Sequence, residues 1–119
     1  MIGIDLIKTS RMNRMIERFG EKALLKFLCE DEIKLIKNHK TASGFWAAKE
    51  ACSKALGVGI GSTCSFHDIN IYKTQKGAPK INLSPKLIKE FNITDISLSI
   101  THDGDYAIAV VAIQSSTTF

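Results

Sequence analysis

The strongest constraint on the fold lies near the C-terminus. From Tyr106 to Ile113 the sequence is apolar at both alternate sets of positions, whereas Ile93–His102 alternates Ile96, Leu98 and Ile100 with Ser97, Ser99 and Thr101. Alternation of period two reads as a half-buried strand, and Asp103-Gly104 between two such runs is a tight-hairpin signal. The last strand must be covered on both faces, one by helices and the other by helices or a second subunit. Upstream, Ala47, Ala48, Ala51, Cys52, Ala55 and Leu56 recur at helical spacing. A stripe of such small residues lets a helix lie very close to its neighbour. The expected fold class is α+β, with helices packed on a mainly antiparallel sheet.

The other segments fit that frame. Met1–Leu6 reads as a short strand, and Met12–Asn38 as two or three short helices interrupted near Gly20 and around Cys29–Asp31. The Ala-rich helix is expected from near Ser43 to Gly57, with Lys49, Glu50, Ser53 and Lys54 on its polar side. Phe66–Lys73 alternates as a strand, Gly77-Ala78-Pro79 makes a turn, and Ile81–Leu83 reads as a short returning strand. Ser84-Pro85 then opens a helix carrying Leu87, Ile88 and Phe91. At 119 residues, without repeat or linker, residues 1–119 form one domain, and only Ser115–Thr118 reads as a loose tail.

Composition narrows the function. Sixteen Lys and Arg against 12 Asp and Glu give a net charge of +4, which favours an acidic partner: nucleic acid, acidic protein or polyphosphate. With neither a secretory-signal pattern nor an apolar run long enough to span a bilayer, a cytoplasmic protein with no membrane partner is expected. Three cysteines, Cys29, Cys52 and Cys64, are odd in number and widely spaced, which suggests neither a disulfide framework nor a zinc knuckle. His39, His67 and His102 lack metal-ligand spacing. Cys52 has no histidine nearby in sequence and reads as a core thiol, not a nucleophile.

Two carboxylates stand near apolar structure: Asp5 at the end of the first strand and Glu50 on the Ala-rich helix. If that helix packs on that strand, the pair suits a hard cation such as Mg²⁺, which takes one or two protein carboxylates and leaves positions for substrate phosphates. Taken alone, Glu50 beside Lys49 and one turn before Lys54 also reads as a solvated helix face. Gly57-x-Gly59-x-Gly61 follows a helix instead of opening one, so it reads first as a helix C-cap and loop, with room near Lys54 for an anionic ligand. Arg11, Arg14 and Arg18 form a basic ridge on a helix whose apolar side carries Met12, Met15, Ile16 and Phe19.

Taken together, Ile2-Gly3-Ile4-Asp5, Trp46-Ala47-Ala48-Lys49-Glu50-Ala51-Cys52-Ser53-Lys54-Ala55-Leu56-Gly57, Gly77-Ala78-Pro79 and Ser99-Ile100-Thr101-His102 resemble the holo-acyl carrier protein synthases. These are small bacterial-type 4′-phosphopantetheinyl transferases. The resemblance covers nearly the whole chain in order. It implies transfer of the phosphopantetheine arm of coenzyme A to a serine of apo-acyl carrier protein in fatty-acid synthesis, releasing adenosine 3′,5′-bisphosphate, with Mg²⁺ as cofactor. Asp5 and Glu50 match the family's metal ligands, and Lys54 is placed to neutralise or protonate the leaving phosphate. Glu50 or a metal-bound water is the base. The resemblance further implies a coenzyme site at Lys49, Lys54, the Gly57–Gly61 loop, Gly77–Pro79, Thr101 and His102. It implies carrier-protein docking on Arg11, Arg14 and Arg18, and a homotrimer with sites at subunit interfaces. Two positions depart from the pattern: Phe45, where relatives often carry Arg, and Asp103, where a hydroxyl residue is common. The rival reading is a non-enzymatic basic nucleic-acid-binding module. It explains the charge, lacks recognised nucleic-acid motifs, and leaves Asp5 and Glu50 without a task.

Overall fold

The computed structural model describes residues 1–117. Strand β1 (Ile2–Lys8) leads into helices α1 (Thr9–Phe19), α2 (Glu21–Leu25), α3 (Glu30–Ile33) and α4 (His39–Ala55). A 3-10 turn (Phe66–Asp68) follows, then β2 (Ile69–Lys73), β3 (Pro79–Leu83), α5 (Pro85–Phe91), β4 (Ile93–Asp103) and β5 (Tyr106–Ser115). The fold is α+β as expected, but the strands form two antiparallel sheets: β1-β5-β4 and the β2-β3 hairpin.

Several boundaries differ from expectation for local reasons. Helix α4 starts at His39, not near Ser43, because the Asn38 side-chain oxygen accepts from the backbone N–H groups of Lys40 and Thr41 and caps it earlier. The segment expected as a strand from Phe66 opens instead as the 3-10 turn, where Asp68 accepts from the backbone N–H of Ser65. The hairpin between β4 and β5 turns on Gly104 and Asp105, with Asp103 paired to Tyr106. Only Gly104 there has a positive φ, +56°, so the glycine supplies the backbone conformation that an ordinary residue resists. Asp105 is left to accept from the Thr9 and Ser10 hydroxyls and the Ser10 N–H, tying the start of α1 to that hairpin. The expected loose tail begins later: Ser115 closes β5, and Thr118 lies outside the described residues.

The core lies between α4 and the three-stranded sheet. Ala47, Ala48, Ala51 and Cys52 are fully buried there, against Ile7, Ala107, Ala109 and Val111. The approach is closest at Gly3: a methyl group there would stand 1.9 Å from the Ala51 carbonyl oxygen and 2.6 Å from the Ala55 nitrogen. Only glycine permits that contact. The opposite sheet face is different. Ile2, Ile4, Leu6 and Val110 are exposed there, and the register sets Ile4 beside Val110. The last strand therefore has one face covered by α4 and one apolar face open in the single chain.

Candidate functional site

Burial of Gly3 against α4 decides where Asp5 goes. Two residues on along β1, Asp5 shares the α4 side of the strand, and its Oδ1 accepts from Lys54 Nζ at 2.8 Å. The same ammonium donates to the Ile4 carbonyl at 3.2 Å. Glu50 lies one turn before Lys54 and is partly buried. Burial pushes the Glu50 carboxyl above its ordinary range, and the charge of Asp5 pushes it further, while Lys54 and Arg11 pull it back. The shift places Asp5, Glu50, Lys54 and Arg11 in one electrostatic cluster. Asp5 and Glu50 thus lie within electrostatic reach of each other. Among the described residues no group of three or more His, Cys, Asp and Glu side chains is arranged around a common point. The donor set fits a hard cation completed by ligand oxygens: two carboxylates crowd like charge, and a cationic group already stands against one of them.

The loop after α4 turns back on the last turn of that helix. The Ser53 carbonyl accepts from the N–H groups of Val58 and Gly59, and the Lys54 carbonyl accepts from that of Gly57. Gly57 and Gly59 have positive φ values of +80° and +68°. Gly57 therefore lies beside Lys54 at the end of α4.

Lys49 goes elsewhere, and this is a correction. It was expected on the polar side of the helix among coenzyme ligands, but its side chain is 0% exposed. Its Nζ donates to the Phe27 carbonyl at 2.7 Å, Glu32 Oε1 at 2.8 Å and the Phe66 carbonyl at 3.1 Å, so all three donors are used. Glu32 in turn accepts from the backbone N–H groups of Cys29 and Ile71. Burial lowers the Lys49 pKa, and Glu32 opposes that shift. Successive helix residues point about 100° apart, which is how Glu50 faces the cluster while its neighbour ties five segments together. Ser53, expected beside it on the polar side, is also buried, its hydroxyl donating to the Glu50 carbonyl at 2.7 Å.

A cavity of about 230 Å³ is lined by Lys37, Thr41, Phe45, Lys73, Gly77, Pro79 and His102, among others. It brings together three of the expected coenzyme residues. His102 lies beside Gly44, its Nε2 2.9 Å from the Lys40 carbonyl. Thr101 cannot join it: alternate strand residues face opposite sides, so Thr101 stands on the open apolar face of the sheet. Asp103 shares that face, away from the cavity that holds His102. From Gly44 to Lys54 is ten residues, about 15 Å along α4. The single chain therefore presents the two groups of expected residues as separate places. Phe45, the departure from the family pattern, is buried as part of the cavity wall.

Arg11, Arg14 and Arg18 are exposed on α1. Beside them lies an apolar cavity of about 210 Å³ lined by Met15, Phe19, Lys22, Ala23, Lys26 and Trp46. Trp46, in the cavity wall, stands one turn before Glu50 on α4, and Arg11 is within electrostatic reach of Glu50. Sequence reasoning missed Lys22 and Lys26, which the turn at Gly20 brings to the wall of that cavity, and Lys37 and Lys73, which only the fold joins. It also missed Glu32, whose partner Lys49 is 17 residues away. Cys52 is a core thiol as expected: burial, followed by the nearby Cys64, pushes its pKa up to about 12.

Comparison with known proteins matches nearly the whole chain. The sequence profile described as the 4′-phosphopantetheinyl transferase superfamily matches residues 1–111. The holo-[acyl-carrier-protein] synthase of Sulfurimonas denitrificans is 71% identical over 116 residues, which are 98% of this chain and 96% of the relative. That of Campylobacter fetus is 51% identical over 115 residues, 97% of this chain and 100% of the relative. Among solved structures, Helicobacter pylori holo-[acyl-carrier-protein] synthase in complex with coenzyme A superposes with a TM-score of 0.93 at 48% identity, covering 96% of this chain and 100% of that one.

Lys49→Met is expected to lower stability by about 3–5 kcal/mol, because it strands the buried Glu32 charge. Urea unfolding followed by circular dichroism measures this, and a loss below about 1 kcal/mol would remove the structural role assigned to Lys49.

Proposed function

This chain belongs to the 4′-phosphopantetheinyl transferase superfamily, and on that premise we propose that Asp5, Glu50 and Lys54 form its reaction centre, with Mg²⁺ held by the two carboxylates. The reaction transfers 4′-phosphopantetheine from coenzyme A to a serine of apo-acyl carrier protein, giving holo-acyl carrier protein and adenosine 3′,5′-bisphosphate. The observation that carries the site is the pairing of Asp5 with Lys54 at 2.8 Å, beside a Glu50 whose carboxyl is raised by burial and by Asp5.

The chemistry asks for charge control. The serine oxygen attacks the β-phosphorus of an anionic pyrophosphate, and the bond to the leaving 3′,5′-bisphosphate oxygen breaks. When bound, Mg²⁺ supplies positive charge against the pyrophosphate oxygens. Glu50, partly buried and within electrostatic reach of Asp5, is the residue that takes the serine proton. Lys54 presents its ammonium to the leaving phosphate and neutralises or protonates it. Gly57 and the loop after it give the phosphates a bare backbone to lie against.

Gly77, Pro79 and His102, with Lys37 and Lys73 in the same cavity, form a cationic pocket suited to the nucleotide end of the coenzyme. Its separation from Lys54 along α4 supports a site completed by a neighbouring copy. The open apolar face carrying Ile2, Ile4, Leu6 and Val110 supports a homotrimer as the assembly that supplies it. Arg11, Arg14 and Arg18, extended by Lys22 and Lys26 around the apolar cavity, form the docking surface for the acidic carrier protein. Complementary charge there sets orientation and encounter rate. No helix among the described residues is long and apolar enough to cross a membrane.

Intact-mass spectrometry of apo-acyl carrier protein tests the centre. Asp5→Asn and Glu50→Gln are each expected to lower the rate of the phosphopantetheine mass gain roughly 10²–10³-fold, with melting unchanged, and a chelator to stop it in the parent protein. Near-normal turnover in either variant overturns the metal assignment. Arg14→Glu should raise KM for the carrier protein about tenfold and leave that for coenzyme A unchanged; equal effects on both would remove the docking role. Light scattering should give a mass of three protomers for the parent and one for Ile4→Glu, and a monomeric parent would end the shared-site reading.

A further inference from the structure

Lys54 does more in this structure than face a future phosphate. Its side chain is 50% exposed, so packing does not force it toward β1, and holding a long side chain in one place costs conformational entropy. Yet its Nζ is fastened at two points, Asp5 Oδ1 at 2.8 Å and the Ile4 carbonyl at 3.2 Å. Gly3 draws β1 against Ala51 and Ala55, which brings Asp5 beside Glu50, and the nearest flexible cation settles on the resulting concentration of negative charge. The ammonium then stands on Asp5 Oδ1, an oxygen that a cation bound by the pair would draw on. Two cations cannot share that oxygen at contact distance without strong repulsion.

Resting on the carboxylate-pair reading, we propose that Lys54 is a resident counter-ion of the metal site, displaced from Asp5 when phosphate oxygens offer it another anion. In the free protein it holds the two carboxylates together and weakens the binding of a bare divalent cation. When the coenzyme arrives, its pyrophosphate accepts the ammonium, Asp5 is released to the metal, and the same Lys54 meets the leaving phosphate. Lys54 thereby couples the two ligands. By reciprocity, whatever the coenzyme adds to metal affinity, the metal adds to coenzyme affinity.

Mn²⁺ binding followed by electron paramagnetic resonance tests this without turnover, using the full chain with and without coenzyme A. Lys54→Met is expected to bind Mn²⁺ alone about fivefold more tightly than the parent, as befits loss of a partly exposed ion pair. Its gain on adding coenzyme A should be smaller than the parent's. Arg11→Met removes a charge that acts on Glu50 without an ion pair to Asp5, and should tighten binding less than about twofold. Lys54→Gln, which keeps a polar end, should follow Lys54→Met and guards against a folding defect. Equal or weaker Mn²⁺ binding in both Lys54 variants, or an equal gain in Arg11→Met, overturns the counter-ion role while the metal reading stands. No bound Mn²⁺ in the parent even with coenzyme A overturns the metal reading and this one with it.

Discussion

The contact between Gly3 and the backbone of α4 is the point on which the rest of the structure turns. A strand and a helix normally stand apart by the thickness of two side chains. Here one partner has no side chain and the other presents alanines, so backbone meets backbone at Ala51 and Ala55. That contact sets the position of β1 along α4. Asp5 follows two residues after Gly3, and Lys54 and Glu50 occupy the turn of α4 opposite it. A carboxylate pair is costly to assemble because like charges repel and burial penalises both. The apolar packing of Ala47, Ala48, Ala51, Ala107, Ala109 and Val111 supplies the rigidity that holds it.

Two lysines five residues apart on α4 show how burial divides roles. Lys49 is fully enclosed, its three donors committed to Phe27, Glu32 and Phe66. A charge so placed must be matched completely, because an unpaired ion in that interior is far more costly than in water. Lys54 is half exposed, and its ion pair with Asp5 is of the kind that solvent and competing ions readily exchange. The first lysine is structural because it cannot leave. The second is suited to chemistry because it can.

The three-stranded sheet uses its two faces differently. One is sealed by α4; the other carries Ile2, Ile4, Leu6 and Val110 in the open, together with Thr101. His102 points the other way, into the cavity with Gly77 and Pro79. Neighbouring residues in a strand thus serve different surfaces, and a motif quoted as Thr101-His102 contains only one side chain that reaches that cavity. The proposed assembly and the proposed nucleotide pocket both follow from this alternation.

Much of this was legible in the chain. The hairpin between β4 and β5, the small-residue helix and the antiparallel pairing of the strands follow from periodicity and turn chemistry, which act over a few residues; their division into two sheets does not. The pairing of Asp5 with Glu50 was also accessible, since a short glycine-bearing strand and an alanine-striped helix have few ways to pack. What the sequence did not contain was the depth of each charged side chain. Lys49 and Lys54 are the same residue type on one helix, and no local signal separates them. Glu32, 17 residues from Lys49, decides that one is buried, and Asp5, 49 residues from Lys54, decides where the other rests. Local sequence determines which elements form, because hydrogen bonding and periodicity are short-ranged. The tertiary structure alone decides which charges meet, because burial and ion pairing depend on segments that approach only once the chain has folded.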